Sequence, residues 1–425
     1  MKKIKLAVIS SFLFSFMLVS ALNVFAQTAA INASRNVSNV SVPKASAAQD
    51  ATVPQKVKKQ PMREWLVMVY INAKNDLGLL PNAFMSVNDM ERIGSTDKVA
   101  VVVEYGAFEM QGGKSVHSED SWTLFIKKDE DCHKITSPVL YHTKKADMGS
   151  RSHLVNFARR AIDEYPARHT ILVVWNHGKG IDGISFDDIT GNHISVVELG
   201  LALKEISNQL GRKIDMFVMD ACLMQSLSIA YQLRDYADII IGSQETEPIN
   251  GLPYYWLLGE LNKPGRINAK QFCDDLVDAF KKNNPKATEV TMSALNTAAF
   301  PRLVSLFDQW INEIRQDKEI LQEVRSVVHV KDSRNISEYD YRDLLDYIKH
   351  LNDSLRPSRA KAAGEMLASF IREKVIISNY SNDNTIKGLS IYIPSGDYYN
   401  PDYWELDFPK DSAWSGLNAE LAEQM

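Results

Sequence analysis

Five strand-length apolar runs, set apart by stretches with helical periodicity, constrain the fold of this chain more than any other feature. They are Trp65–Ile71, Val99–Tyr105, Thr170–Trp175, Ile214–Met219 and Asp238–Gly242. Near-continuous apolar character, rather than alternation, is what a strand covered on both faces requires. Between them, Leu154, Phe157, Ala158, Ala161, Ile162 and Tyr165 recur at the spacing of one buried helix face. Ser195 and Glu198 read as a capping box opening a second helix, with Val196, Leu199, Leu203, Ile206 and Leu210 on one side. A further helix is expected from about Leu223 to Tyr236, and Trp122–Ile126 as an edge hairpin strand. Strand–helix–strand units in series give an α/β fold with a mostly parallel central sheet and helices on both faces. The C-terminal third is expected to be mainly helical, over 269–283, about 300–328, 339–353 and 357–374, with strands at Val290–Leu295 and Gly388–Ile393. No internal repeat is visible.

The first 62 residues stand outside that pattern. Lys2, Lys3 and Lys5 precede an apolar run from Leu6 to about Leu22, and Val24-Phe25-Ala26 puts small residues where a secretory signal is cut. The following residues are small and polar, with no cysteine near the cut for a lipid anchor, and no later segment is apolar enough to span a bilayer. An exported protein, periplasmic or secreted and without a membrane anchor, is therefore expected, with residues 1–26 as signal peptide. Residues 27–62 lack the apolar content for a core and read as a pro-segment or linker. Loss of the three lysines takes the net charge from −5 to −8, and the remaining basic residues are scattered, which argues against nucleic acid as a partner.

Three cysteines in an exported chain leave at least one free thiol. Cys132 and Cys273 read as small buried hydrophobes or as a pair with each other. Cys222 is different because it ends a strand, in Met219-Asp220-Ala221-Cys222, where a helix is expected to follow at once and favour thiolate. The strand before it ends in Asn176-His177-Gly178. Active sites of open α/β sheets lie beyond the carboxyl ends of the strands. If the two strands are neighbours, an imidazole and a thiol meet there, and Gly178 lets backbone N–H groups approach an oxyanion. Taken singly, each residue is more often structural; the combination points to cysteine nucleophilic catalysis.

The Asn-His-Gly and Asp-Ala-Cys segments, in that order and each after an apolar strand, resemble the clostripain family of cysteine peptidases, in the clan of caspases and gingipains. Trp65–Leu77 with its Asn-Asp-Leu loop, Gly242-Ser243-Gln244-Glu245 and Leu389–Pro394 are also similar, so the resemblance spans roughly 63–410. It implies a caspase-like α/β/α sandwich, with a catalytic domain over 63–265 and a C-terminal subdomain over 266–425. It also implies an endopeptidase with Cys222 as nucleophile and His177 as general acid/base. Gly178 and Cys222 N–H groups would form the oxyanion hole, and Asp220 would recognise Arg or Lys before the scissile bond. Protein or peptide substrates and a monomeric state are expected. The same residues leave open a silent caspase-like peptide-binding module or a transpeptidase using the same pair.

Two departures from the family pattern stand out. Ile181–Leu203 holds no Lys or Arg for internal self-cleavage, leaving Lys179 and the stretch Lys56, Lys58, Lys59 and Arg63 as processing candidates. Gly251-Leu252-Pro253-Tyr254 replaces a Trp-Asp pair common in relatives, which weakens the case for strict Arg specificity. No cofactor is required by any motif. Asp182, Asp187 and Asp188 are candidate calcium ligands, with a solvated acidic loop as the plainer reading.

Overall fold

The computed structural model describes residues 49–50 and 60–417, except 108, 112–113, 117, 266, 286, 288–289, 328–334, 337–340 and 394–399. The expected signal peptide, and all of the 27–62 segment but residues 49–50 and 60–62, lie outside the described residues.

The apolar runs form the centre of a ten-stranded mixed, mostly parallel sheet. We number its strands β1 (Arg63–Ala73), β2 (Val99–Ala107), β3 (Ser121–Phe125), β4 (Val139–Thr143), β5 (Ala167–Trp175), β6 (Ile214–Asp220), β7 (Ala237–Gly242), β8 (Thr291–Asn296) and β9 (Ile376–Ser381). The two-residue strand Gln49–Asp50 pairs with β4 at one edge. Across the sheet the order then runs β4-β3-β2-β1-β5-β6-β7-β8-β9. The five strands β2, β1, β5, β6 and β7 are parallel, the β2–β3, β3–β4, β7–β8 and β8–β9 pairings are antiparallel, and Gln49–Asp50 pairs parallel with β4.

Alternate side chains of β1 feed two separate cores. Leu66, Met68 and Tyr70 pack with helices α2 (Arg151–Glu164), α3 (Val196–Leu210) and α4 (Leu227–Leu233). Trp65, Val67, Val69 and Ile71 pack with α1 (Asn82–Glu91), α5 (Tyr254–Asn262) and α6 (Ala269–Asn283). This is an α/β/α sandwich, and it explains why no polar alternation marks the central strands. The Ser195–Glu198 capping box forms as expected and contributes about 1 kcal/mol to α3.

The C-terminal third departs from expectation in detail. The long helix about 300–328 is broken at Asp317 into Phe300–Gln316 and Lys318–Val327. Residues 341–343, expected to be helical, are a strand, and the helix begins at Leu344, capped by Asp343. Strands β8 and β9 extend the main sheet, β9 having gone unrecognised. Ser390–Tyr392 instead joins Asn335–Ile336 and Tyr341–Asp343 in a small antiparallel sheet. Among the described residues no helix is long and apolar enough to cross a membrane. Cys273 is buried, whereas Cys132 is exposed, and all three thiols are free.

Candidate active site

Strands β5 and β6 are hydrogen-bonded neighbours whose ends are flush: Met219 lies opposite Val174 and Asp220 opposite Trp175. The register continues one step further, with Asn176 N–H donating to Asp220 O at 3.3 Å. The next residues on the two chains are His177-Gly178 and Ala221-Cys222, so the candidate pair leaves adjacent strands at the same carboxyl edge. Gly178 lies against the cysteine backbone: a Cβ there would sit 2.3 Å from Cys222 O and 2.7 Å from Met224 Cγ. Only glycine permits that approach.

The expected helix directly after Cys222 does not form. Helix α4 begins at Leu227 with Ser226 as its cap, and Ala221–Ser226 is a loop turned by Leu223 at φ +63°. That loop is tied across to the next strand's exit, with Leu223 N–H to Glu245 O and Gln225 N–H to Ser243 O. No helix dipole therefore favours thiolate. Burial pushes the Cys222 thiol above its usual range, the Glu247 N–H at 3.1 Å from Sγ opposes this, and Asp220 and Glu245 add to the rise. Burial outweighs that bond, so the net shift of the thiol is upward.

His177 is one-third exposed (34%), and its Nε2 lies 2.6 Å from Asp76 Oδ1. Asp76 opens the short 3-10 helix Asp76–Leu79 that follows β1, and its carboxyl is held below the usual range chiefly by this hydrogen bond. No motif assigned a role to Asp76, although it leaves the same sheet edge as the pair. Three asparagine amides fix the surroundings by donating to one carbonyl, Phe186 O: Asn72 (3.2 Å), Asn75 (2.8 Å) and Asn176 (3.3 Å). Phe186 N–H returns a bond to Asn176 Oδ1 at 2.7 Å. Asn176 is thus a scaffold residue, and Lys179 lies with its ammonium 4.4 Å from the Phe186 ring centre.

Asp220 is brought to the same edge but is covered. It is 4% exposed, and its carboxylate accepts Tyr254 Oη–H at 2.6 Å and Leu252 N–H at 3.2 Å. Burial lifts its pKa to about 6. The cover is the 243–254 segment, which needs Gly251 at φ +55°, since a Cβ there would stand 2.8 Å from Asp220 Oδ1. Glu247, in the same segment, is pushed well above the usual carboxyl range by burial and by the neighbouring Asp220.

The clostripain-family profile matches residues 69–419. The chain belongs to the clostripain family. It is 23% identical over 333 residues to clostripain of Hathewaya histolytica, covering 65% of this chain and 62% of that protein. The chain therefore spans less than two-thirds of that relative's length. Among solved structures it resembles a secreted C11 cysteine protease from Bacteroides thetaiotaomicron bound to an irreversible peptide inhibitor, with TM-score 0.63, 17% identity, and coverage of 84% of this chain and 99% of that one. It also resembles an inactive zymogen C11 protease from Parabacteroides distasonis, with TM-score 0.63, 20% identity and coverage of 83% and 99%. The caspase-like sandwich expected from the sequence is the fold observed.

In this clostripain-family chain the C-terminal third braces both active-edge loops. Tyr341 Oη accepts Ile181 N–H at 2.8 Å, and Ser390 N–H donates to Gln225 O at 3.1 Å. In the acidic loop Asp182 and Asp188 are solvent-exposed, as expected, and Asp187 is the exception. Asp187 is 1% exposed and spends both oxygens on backbone, Oδ1 on Ile189 and Thr190 N–H and Oδ2 on Met148 N–H. Asp182 bonds Asn400 instead, and no cluster of three or more His, Cys, Asp or Glu able to hold a metal occurs among the described residues.

Proposed function

We propose that this chain is an exported cysteine endopeptidase that cuts after Arg or Lys through a Cys222/His177 pair, acting on protein or peptide substrates. The observation that carries the reading is the flush pairing of β5 with β6, which sets Asn176-His177-Gly178 beside Ala221-Cys222. Family membership and the peptide inhibitor bound to the Bacteroides thetaiotaomicron relative support it. Export rests on the N-terminal signal pattern and on the secreted character of that relative.

In this mechanism the Cys222 thiol gives its proton to His177 as the sulfur bonds to the scissile carbonyl carbon. Gly178 and Cys222 N–H groups hold the oxyanion. The imidazolium then protonates the departing amine as the C–N bond breaks. Water, deprotonated by His177, adds to the thioester, and cleavage of the C–S bond returns the thiol. Burial raises the Cys222 thiol, which favours proton transfer to His177 in step with the attack. The deciding experiment is mass spectrometry of products from a peptide library, with the purified protein's own termini read in the same run; products without basic residues at their new C-termini would reject the specificity.

Asp220 is assigned to the basic residue before the cut. Asp220→Asn is expected to lower the preference for Arg over its uncharged isostere citrulline by about 10²–10³-fold, the scale of an unsatisfied buried charge. An unchanged Arg/citrulline ratio in kcat/KM would remove Asp220 from that role. Asp76 positions the imidazole through Nε2. Its side chain is mostly exposed (73%), so water can replace much of it, and Asp76→Ala is expected to lower kcat about tenfold with little change in KM. Steady-state kinetics at saturating substrate tests this, and a change confined to KM would refute positioning.

A further inference from the structure

The turn beyond Asp76 leaves more apolar surface in water than its fold requires. Leu77-Gly78-Leu79-Leu80-Pro81 is an unbroken apolar run, and none of the five is buried. Leu77 packs against the core shared by α1, α5 and α6, whereas Leu79 is 59% exposed. A run of about four apolar residues left in contact with water is a fault unless it serves binding. The run is not slack. Asp76–Leu79 is one turn of 3-10 helix capped by Asn75, whose Oδ1 accepts Leu77 N–H at 3.1 Å and whose amide donates to Phe186 O at 2.8 Å. Leu80 N–H closes the turn on Leu77 O at 3.2 Å, and Asn82 Nδ2 ties the start of α1 to Ile249 O at 2.9 Å. The leucines are therefore held out in a set geometry, so a ligand that covers them has little backbone left to order.

Their place along the sheet edge says what that ligand is. Strands β6, β5 and β1 are consecutive neighbours, so Cys222, His177 and Asp76 leave the carboxyl edge in that order. Asp220 ends β6 and its cover follows β7, so both lie on the other side of His177 from Asp76. Asp76 reaches His177 Nε2, and in a 3-10 helix side chains three residues apart eclipse. Leu79 therefore shares the face of Asp76, about 6 Å further along the helix axis. Once Cys222 holds the acyl half of a substrate and His177 protonates the amine, the half beyond the cut departs across β5 toward β1. We infer that Leu79, flanked by Leu77 and Leu80, forms an apolar subsite for the residues on the carboxyl side of the scissile bond. A large apolar side chain there is preferred over a small polar one. This rests on the proposed Cys222/His177 pair. An open subsite buries only part of each leucine, which sets the expected preference at about tenfold.

The test uses the mature protein carrying Cys222→Ala, so that binding is read without cleavage. Two peptides with an amino-terminal fluorescein, Ala-Ala-Arg-Leu-Leu-Gly amide and Ala-Ala-Arg-Ser-Ser-Gly amide, differ only after the arginine. Fluorescence anisotropy is expected to give a Kd about tenfold lower for the Leu-Leu peptide. With Leu79→Ser added, the ratio should fall below about twofold, and Leu79→Met, which keeps a large apolar side chain, should restore most of it. Binding of the Leu-Leu peptide no tighter than that of the Ser-Ser peptide, or a preference that survives Leu79→Ser, overturns the inference. The same two peptides are then given to the protein with Cys222 intact. Cleavage after Arg without the binding preference would sink the subsite alone. A preference that depends on Leu79, with neither peptide cut, would sink the proteolytic reading alone.

Discussion

Replacing Cys222 with Ala is expected to reduce turnover of peptides with Arg or Lys before the scissile bond by at least about 10⁴-fold, because no other group in the site can form the thioester. The fold should survive. Cys222 is only partly buried, it is a free thiol, and its sulfur is met by backbone N–H groups, that of Glu247 at 3.1 Å. Loss of that weak acceptor should cost no more than about 1 kcal/mol, within the range of an ordinary neutral hydrogen bond. Thermal unfolding and kinetics on the same preparation check both halves. Activity retained above one-hundredth of wild type would reject Cys222 as the nucleophile. The serine variant is the useful companion, since it keeps an acceptor for the Glu247 N–H but replaces the thiol with a far less acidic hydroxyl.

The second large effect is expected at Gly178. An alanine there must place its Cβ 2.3 Å from Cys222 O and within contact of Met224, so backbone or core has to move. Gly178 does not have a positive φ, so the penalty is one of space and not of backbone conformation. Overpacking of this kind costs about 1–3 kcal/mol of stability. The displaced partner is the cysteine backbone itself, whose N–H is assigned to the oxyanion. Gly178→Ala is therefore expected to cut kcat/KM by at least about 10²-fold, the scale of losing one such donor. A variant that loses stability yet turns over substrate at the wild-type rate would show that Gly178 serves packing only.

The central strands were legible because burial on both faces leaves no room for polar residues. Trp65–Ile71 and Thr170–Trp175 lie within the observed β1 and β5. The order of His and Cys on successive strand–helix units was legible too, since β5 and β6 pair as neighbours. The start of α4 was not. Leu223, Met224 and Leu227 have helical spacing, but cross-chain bonds from Leu223 and Gln225 to Glu245 and Ser243 hold the loop open. Local propensity lost to tertiary hydrogen bonding, and with it went the dipole argument for thiolate. Asp187 misled for a related reason: it reads as a solvated acid in sequence, yet it is buried because three backbone N–H groups need it. The cover over Asp220 depends on Gly251 and Leu252 folding back from about 30 residues away, a contact without local signature. Strand β9 was missed because its IISNYS sequence neither alternates nor runs apolar, as suits an edge strand.

The brace formed by Tyr341 and Ser390 has a consequence for biosynthesis. These two residues come 164 positions after His177 and 168 after Cys222 respectively, and the contacts they make span 160 and 165 residues. While the polypeptide is still emerging, the His177 and Cys222 loops are already present, but the two struts that steady them have not yet been made. The braced geometry proposed for the pair is therefore complete only once the chain has grown more than 160 residues beyond each of them.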